Sequence, residues 1–156
     1  MLHVLTDPDV VSVQIARSGW TVKSLLRHVA HAEPRLNALI DTGALITGMS
    51  NKSVARYLLA NGLGRWCEGV VFLDENDEKM IFVKATGRVL KLSQCGISVD
   101  KRFAFYDQIH TTGTSPAMPA VVPAPERLLL CPSVSPLSFA CTMVRCICQE
   151  WTSNTR

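Results

Sequence analysis

Apolar residues recur at roughly helical spacing through the first 35 residues, which predicts a helical N-terminal segment. The positions are Val10, Val13, Ile15, Leu25, Leu26 and Val29. Asp7 and Pro8 are suited to a helix start, because proline is tolerated in the first turn. Gly19 would divide the segment into two short amphipathic helices, and Pro34 would end it.

Residues 36–114 carry the pattern of an α/β domain. A short apolar run, 36–40, ends at Asp41, and Ser50 is a suitable N-cap for a helix that Asn61 and Gly62 would end. Further runs predict strands at Gly69–Leu73, Met80–Val83, Arg88–Leu92 and Phe103–Tyr106. Strand, helix and strand in this order favour a parallel core with an added β-hairpin.

The composition changes at residue 115. Six prolines lie between Pro116 and Pro136, and prolines at such intervals are incompatible with a helix or a central strand. The apolar, cysteine-rich end of the chain has no clear period. We therefore predict three segments: a helical one at 1–35, an α/β domain fragment at 36–114, and an irregular or aberrant tail at 115–156.

Composition excludes several functional classes. The net charge is only +3 and the 16 basic residues are scattered, so no basic stripe indicates nucleic acid. Charged residues interrupt the N-terminus and no apolar run reaches about 20 residues, so we expect neither a signal peptide nor a membrane span. We therefore expect a soluble, intracellular protein, and the sequence does not distinguish cytoplasm from nucleus.

The cysteines do not indicate a metal site. Cys131, Cys141, Cys146 and Cys148 crowd into the last 26 residues with no histidine nearby, unlike the C-x-x-C pairs of structural zinc sites. The phosphate-binding motif G-x-x-x-x-G-K-[ST] is absent too. We expect reduced thiols, no metal and no cofactor.

Asp41 lies in the string Ala38-Leu-Ile-Asp-Thr-Gly-Ala44, which resembles the catalytic loop of retropepsin-like aspartic proteases. Those enzymes share a proton between two aspartates, so one chain would act as a dimer. The later apolar pair followed by glycine has no good counterpart here, because Cys95-Gly96-Ile97 is preceded by polar residues. A strand that ends in an Asp-Thr-Gly turn is the alternative.

Candidates for a thiol protease are also present. Cys95, or else Cys67, could act as nucleophile with His110 as base and Asp107 as its partner. Asp107 is only three residues from His110, closer than in the usual separated arrangement. A structural cysteine and a loop histidine are the alternative.

Two further polar stretches follow predicted strands. Asp74 ends the run Gly69–Leu73, and the loop 107–114 follows the last strand. In α/β sheets such loops gather at the edge where ligands bind. The hydroxyls, imidazole and glycine of 107–114 suit a phosphate or a peptide carbonyl, and a capped turn is the alternative.

Four blocks in order carry a family resemblance: Ala38–Asn51, Val54–Leu59, Glu68–Glu75 and Arg102–Gly113. Together they resemble the very large, mostly fungal and protist proteins known as ubiquitinyl hydrolases, which are built from domains of unknown function. The match covers about half of the chain, residues 36–114. No catalytic residue of that family maps securely onto these positions.

This resemblance implies an incomplete RecA-like (Rossmann-like) lobe that belongs to a larger parent protein. The parent would hydrolyse ubiquitin conjugates by a thiol-dependent mechanism, and the isolated fragment would be inactive. Ubiquitin conjugates and the rest of the parent would be its partners. The chain departs from the family pattern after Thr114, at the same place as the change in composition. A non-catalytic interaction domain is a further alternative.

Overall fold

The computed structural model describes residues 11–16, 19–109, 128–130 and 139–144 of the chain. These ranges form a mixed α/β structure. The helices are α1 (Val22–Ala30) and α2 (Asn51–Ala60). The strands are β1 (Val11–Ala16), β2 (Ala38–Ile40), β3 (Gly69–Leu73), β4 (Lys79–Val83), β5 (Arg88–Lys91), β6 (Arg102–Tyr106), β7 (Leu128–Leu130) and β8 (Phe139–Val144).

The strands form one sheet in the order β1-β8-β7-β2-β6-β3-β4-β5. Its centre is parallel, because β2 pairs with both β6 and β7, and β6 pairs with β3. The strands β4 and β5 continue from β3 as an antiparallel meander. The predicted parallel core with an added hairpin is thus confirmed.

Both helices begin at hydroxyl N-caps. The Thr21 side chain accepts from the Ser24 backbone N–H while the Ser24 hydroxyl accepts from the Thr21 N–H. At the start of α2 the Ser50 oxygen accepts from the Ser53 N–H, as the sequence predicted. Among the described residues, no helix is long and apolar enough to cross a membrane.

The main core lies between the helices and one face of the sheet. Alternate strand residues point to that face, and Phe103 and Phe105 of β6 are almost completely buried there. From the helices it receives Leu25, Leu26, Val29, Val54, Ala55, Leu58 and Leu59. A smaller cluster on the other face joins Val71, Ile81 and Val83 with Leu92, Cys95 and Ile97. The sheet therefore needs apolar residues at successive strand positions.

The N-terminal prediction is correct for α1 and wrong for residues 11–16, which form a strand. The segment Val11-Ser-Val-Gln-Ile-Ala16 alternates apolar and polar residues, the two-residue period of a strand. It pairs with β8 along six positions. Asp7 and Pro8 lie outside the described residues.

The tail prediction also needs correction, because two of its stretches belong to the sheet. Leu128–Leu130 pairs with β2, and Phe139–Val144 pairs with β7 and β1. A fully apolar triplet is typical of a parallel strand that is buried on both faces. The six prolines flank these strands without interrupting them, and they lie outside the described residues.

We expect the backbone amides of Leu128–Leu130 to be protected from hydrogen exchange about as strongly as those of Ala38–Ile40. The reason is that β7 lies inside the sheet, between β2 and β8. Exchange resolved to single residues by NMR is the measurement, with the exposed residues Ala85 and Thr86 of the turn between β4 and β5 as the fast-exchanging reference. Exchange of 128–130 at the rate of that turn would show that the tail does not belong to the sheet.

Candidate functional site

An aspartate follows each of three parallel strands at its carboxyl end. Asp41 follows β2, Asp107 follows β6 and Asp74 follows β3, so Asp107 is the central member of the row. In open α/β sheets this edge is the usual place for a ligand. The three carboxyl groups nevertheless have different surroundings and cannot share one role.

Asp41 is a structural residue in this fold. Its side chain is 2% exposed, and its two oxygens accept hydrogen bonds from the backbone N–H groups of Leu45 (3.0 Å) and Ile46 (2.8 Å). These bonds close the loop after β2, which includes Ala44 at φ 53°. Asp41 therefore has the environment of a loop cap, whereas a retropepsin aspartate faces water and a second carboxyl group.

Asp74 holds the turn between β3 and β4. Its Oδ1 atom accepts from the backbone N–H groups of Asn76 and Glu78, both at 2.9 Å. Asp77, in the same turn, adopts φ 59°, a left-handed conformation that aspartate tolerates better than most residues. The carboxyl group that the sequence predicted at the end of β3 is present at the edge, and it also shapes the loop beside it.

Asp107 lies beside a gap in the sheet. The pairing of β3 with β6 extends from Gly69 and Arg102 only as far as Val71 and Ala104. Beyond these residues the two strands are not paired, and this unpaired end is the gap. The side-chain amide of Asn51, the first residue of α2, lies there and donates to the Leu73 carbonyl oxygen (3.0 Å) and to Asp107 Oδ2 (2.9 Å).

A cavity of about 610 Å³ opens over this gap. We call it the edge cavity; its lining residues are Ser50, Asn51, Lys52, Phe72, Leu73, Asp74, Glu75, Asn76, Asp77, Asp107 and Ile109. Four of these are acidic and one is basic. Phe72, Leu73 and Ile109 add apolar surface, and Ile109 is 77% exposed. The cavity therefore suits a ligand with a cationic group next to an apolar one.

The described residues contain no cluster of three or more His, Cys, Asp or Glu side chains placed to hold a metal ion. The four acidic residues of the edge cavity do not form such a cluster. The loop 107–114, which the sequence suggested for a phosphate or a peptide carbonyl, is described only as far as Ile109.

The thiol-protease candidates are not brought together. Cys95 lines a different cavity with Glu68 and Lys101, which precede β3 and β6. Asp107 lies at the other end of β6, and five residues of strand span roughly 15 Å. His110 lies outside the described residues. Cys95 and Asp107 therefore cannot serve one catalytic centre within a protomer.

Cys67 is not a suitable nucleophile either. It is 1% exposed, its Sγ donates to the Gly69 carbonyl oxygen at 3.1 Å, and burial raises the pKa of the thiol to about 12. A thiol with such a pKa is almost entirely protonated at neutral pH, whereas the thiolate is the reactive form. Cys67 is a core residue.

The sequence did not indicate the role of Asn51. Asparagine directly after an N-cap serine is compatible with an ordinary first helical turn. Its partners, Leu73 and Asp107, lie 22 and 56 residues further along the chain. No local sequence pattern indicates contacts between residues so far apart in the chain.

We expect Asp41→Asn to lower the free energy of unfolding by about 1–3 kcal/mol, because the amide can accept from only one of the two buried N–H groups. Urea denaturation measures the change. The matched control is Asp100→Asn, an exposed site whose amide oxygen can still accept from the Ser98 hydroxyl. We expect that variant to stay within about 0.5 kcal/mol of the original chain. Equal stability of the two variants would show that Asp41 is not a structural cap.

Comparison with protein-family models, curated proteins and solved structures found no significant match. The resemblance to ubiquitinyl hydrolases therefore stays a prediction from the four sequence blocks. The fold is established as mixed α/β.

Proposed function

We propose that this chain is a binding unit of a larger protein of the ubiquitinyl hydrolase type, and that it binds a basic polypeptide segment in the edge cavity without cleaving it. The observation that carries the proposal is the charge of the cavity. Asp74, Glu75, Asp77 and Asp107 surround it, and Lys52 is the one basic residue among the described residues that line it. Ubiquitin conjugates are the partner class that the sequence resemblance suggests.

The shape of the edge supports an extended peptide as the ligand. Phe72 and Leu73 line the cavity where the pairing of β3 and β6 ends, and Ile109 lies exposed beside them. An arginine or lysine side chain can bury its aliphatic part against such residues and keep its charged end near the carboxyl groups. A peptide with alternating apolar and basic residues matches both features.

The RecA-like assignment is part of the same proposal. It is supported by the parallel arrangement of β2, β6 and β3 and by a cavity at their carboxyl ends. A non-catalytic role is supported by the distance between Cys95 and Asp107 and by the buried thiol of Cys67.

We expect the full chain to bind an eight-residue peptide of alternating leucine and arginine, measured by fluorescence anisotropy at low salt. Glu75 is exposed at the rim, so Glu75→Lys should weaken binding about three- to tenfold, the size of one or two exposed charge contacts. Glu33→Lys, an equal charge reversal outside the cavity, should bind like the original chain. Equal weakening in both variants would place the peptide elsewhere.

The same samples can be tested for hydrolysis with a fluorogenic ubiquitin substrate. No release of the fluorophore is the expected result, and free ubiquitin should compete with the basic peptide. Turnover that Cys95→Ala abolishes would contradict the proposal and identify Cys95 as a nucleophile.

A further inference from the structure

A second cavity, of about 670 Å³, lies at the opposite edge of the sheet from Asp107. Four basic side chains surround it: Arg27, His31, Arg65 and Lys84. We call this group the basic pocket. Within the described part of the chain, none of the residues that line it is acidic. Its charge is thus opposite to that of the edge cavity.

Three separate chain segments build the basic pocket. The last turn of α1 contributes Arg27, and His31 caps that helix. The loop after α2 contributes Arg65, and Lys84 follows the last residue of β4. Because these segments are distant in sequence, only the fold brings the four side chains together.

Two glycines let the loop after α2 approach both helix ends. A Cβ atom on Gly62 would lie 2.8 Å from the His31 ring, and Gly62 adopts φ 134°. A Cβ atom on Gly64 would lie 2.6 Å from the Leu59 carbonyl oxygen. Real side chains do not tolerate such contacts, so glycine at both positions permits the close packing that places Arg65 next to α1.

Two of the basic groups are held by the backbone. Lys84 Nζ donates to the Gly64 carbonyl oxygen at 2.7 Å, and His31 Nδ1 donates to the Arg27 carbonyl oxygen at 2.9 Å. Arg27 and Arg65 are exposed, and neither has an ion-pair partner among residues 19–109. Their guanidinium groups are therefore available to an external anion.

Stabilisation of a helix C-terminus accounts for only part of this arrangement. A cation in the last turn of α1 interacts favourably with the helix dipole, which gives Arg27 a structural role. The same effect does not require Arg65 and Lys84 to come from other segments.

We propose that the basic pocket binds a compact anion with several phosphate groups. Arginine pairs with phosphate through two parallel N–H donors, and several cations around one space favour a ligand of high charge density. No Phe, Tyr or Trp side chain lines the pocket within the described residues, and the His31 ring is held by its hydrogen bond to the Arg27 carbonyl oxygen, so the pocket offers no large ring as a stacking platform for nucleic-acid bases. Leu59 and Ala60 are its apolar lining residues, too little for the apolar anchor of a protein partner.

The probe is inorganic tripolyphosphate, titrated into the full chain by isothermal calorimetry at low salt. We expect saturable binding at one site, and a loss of about tenfold or more in affinity for Arg27→Gln and for Arg65→Gln. Lys79→Gln is the matched control, since Lys79 and Lys84 stand at opposite ends of β4 and the charge loss is the same. That variant should bind like the original chain.

Absence of binding by the original chain, or equal weakening by Lys79→Gln, would overturn the proposal. Tighter binding of single-stranded RNA, compared at equal phosphate concentration, would overturn the assignment to a compact ligand.

Phosphatidylcholine vesicles with phosphatidylinositol bisphosphate distinguish a lipid headgroup from a free phosphate compound. Sedimentation with the vesicles that Arg65→Gln abolishes assigns a lipid headgroup, and binding of tripolyphosphate alone assigns a free phosphate compound. Thermal unfolding confirms that each variant is folded. Peptide binding at the edge cavity should be unchanged in both arginine variants. Either proposal can therefore be contradicted while the other stands.

Discussion

The contact of Asn51 with the ends of β3 and β6 determines the architecture of the carboxyl edge. A parallel pair that continued in register would join Leu73 to Tyr106, but the pairing ends at Val71 and Ala104. Asn51 supplies the missing donor to Leu73 and a second donor to Asp107. One side chain thus fixes the start of α2 against two strands and leaves room for a cavity between them.

The charged residues around the two cavities match the direction of the helix dipoles. The edge cavity lies at the N-terminus of α2 and is rich in carboxyl groups, whereas the basic pocket lies at the C-terminal ends of α1 and α2. Both arrangements complement the helix dipoles. The charges exceed what the dipoles require, because residues of the connecting loops contribute to them, such as Asp74 and Glu75 after β3 at the edge cavity and Lys84 after β4 at the basic pocket. The two ends of the sheet therefore carry opposite charge, as the two proposed ligands require.

The sequence was informative where local pattern decides structure. Ser50 as an N-cap, the end of α2 at Asn61, and the strands of the 69–106 region follow from capping and apolar periodicity, and all are confirmed. The pattern at 11–16 was misassigned because Val10 and Val13, three residues apart, fit a helical spacing, whereas Val11, Val13 and Ile15 keep the two-residue period of a strand. The proline count led us to predict an irregular tail and to overlook the apolar triplet 128–130. Prolines that flank a strand do not prevent it from pairing.

The candidate sites depend on contacts between residues distant in the chain, which the sequence could not indicate. Asp74 and Asp107 were expected at the ligand edge, and both line the edge cavity. Cys95 and Asp107 were grouped by residue type alone, and the sheet places them at opposite edges. Asp41 had the most suggestive motif, yet burial and two backbone donors give it a structural role. The basic pocket was not predicted, because Arg27, His31, Arg65 and Lys84 are scattered along the chain and meet only in the fold.

The most direct test of this account is the stability of Asn51→Asp compared with Asn51→Ala. An aspartate in the first turn of a helix is favourable by about 0.3–1 kcal/mol, so a purely helical role predicts that Asn51→Asp is the more stable variant. The bridging role predicts the reverse, because a carboxylate would face the Leu73 carbonyl and the Asp107 carboxylate without a proton to donate. Urea denaturation should show a loss of about 1–3 kcal/mol for Asn51→Ala and a larger loss for Asn51→Asp, with Lys52→Ala nearly unchanged. An aspartate variant as stable as the original chain would contradict the bridge.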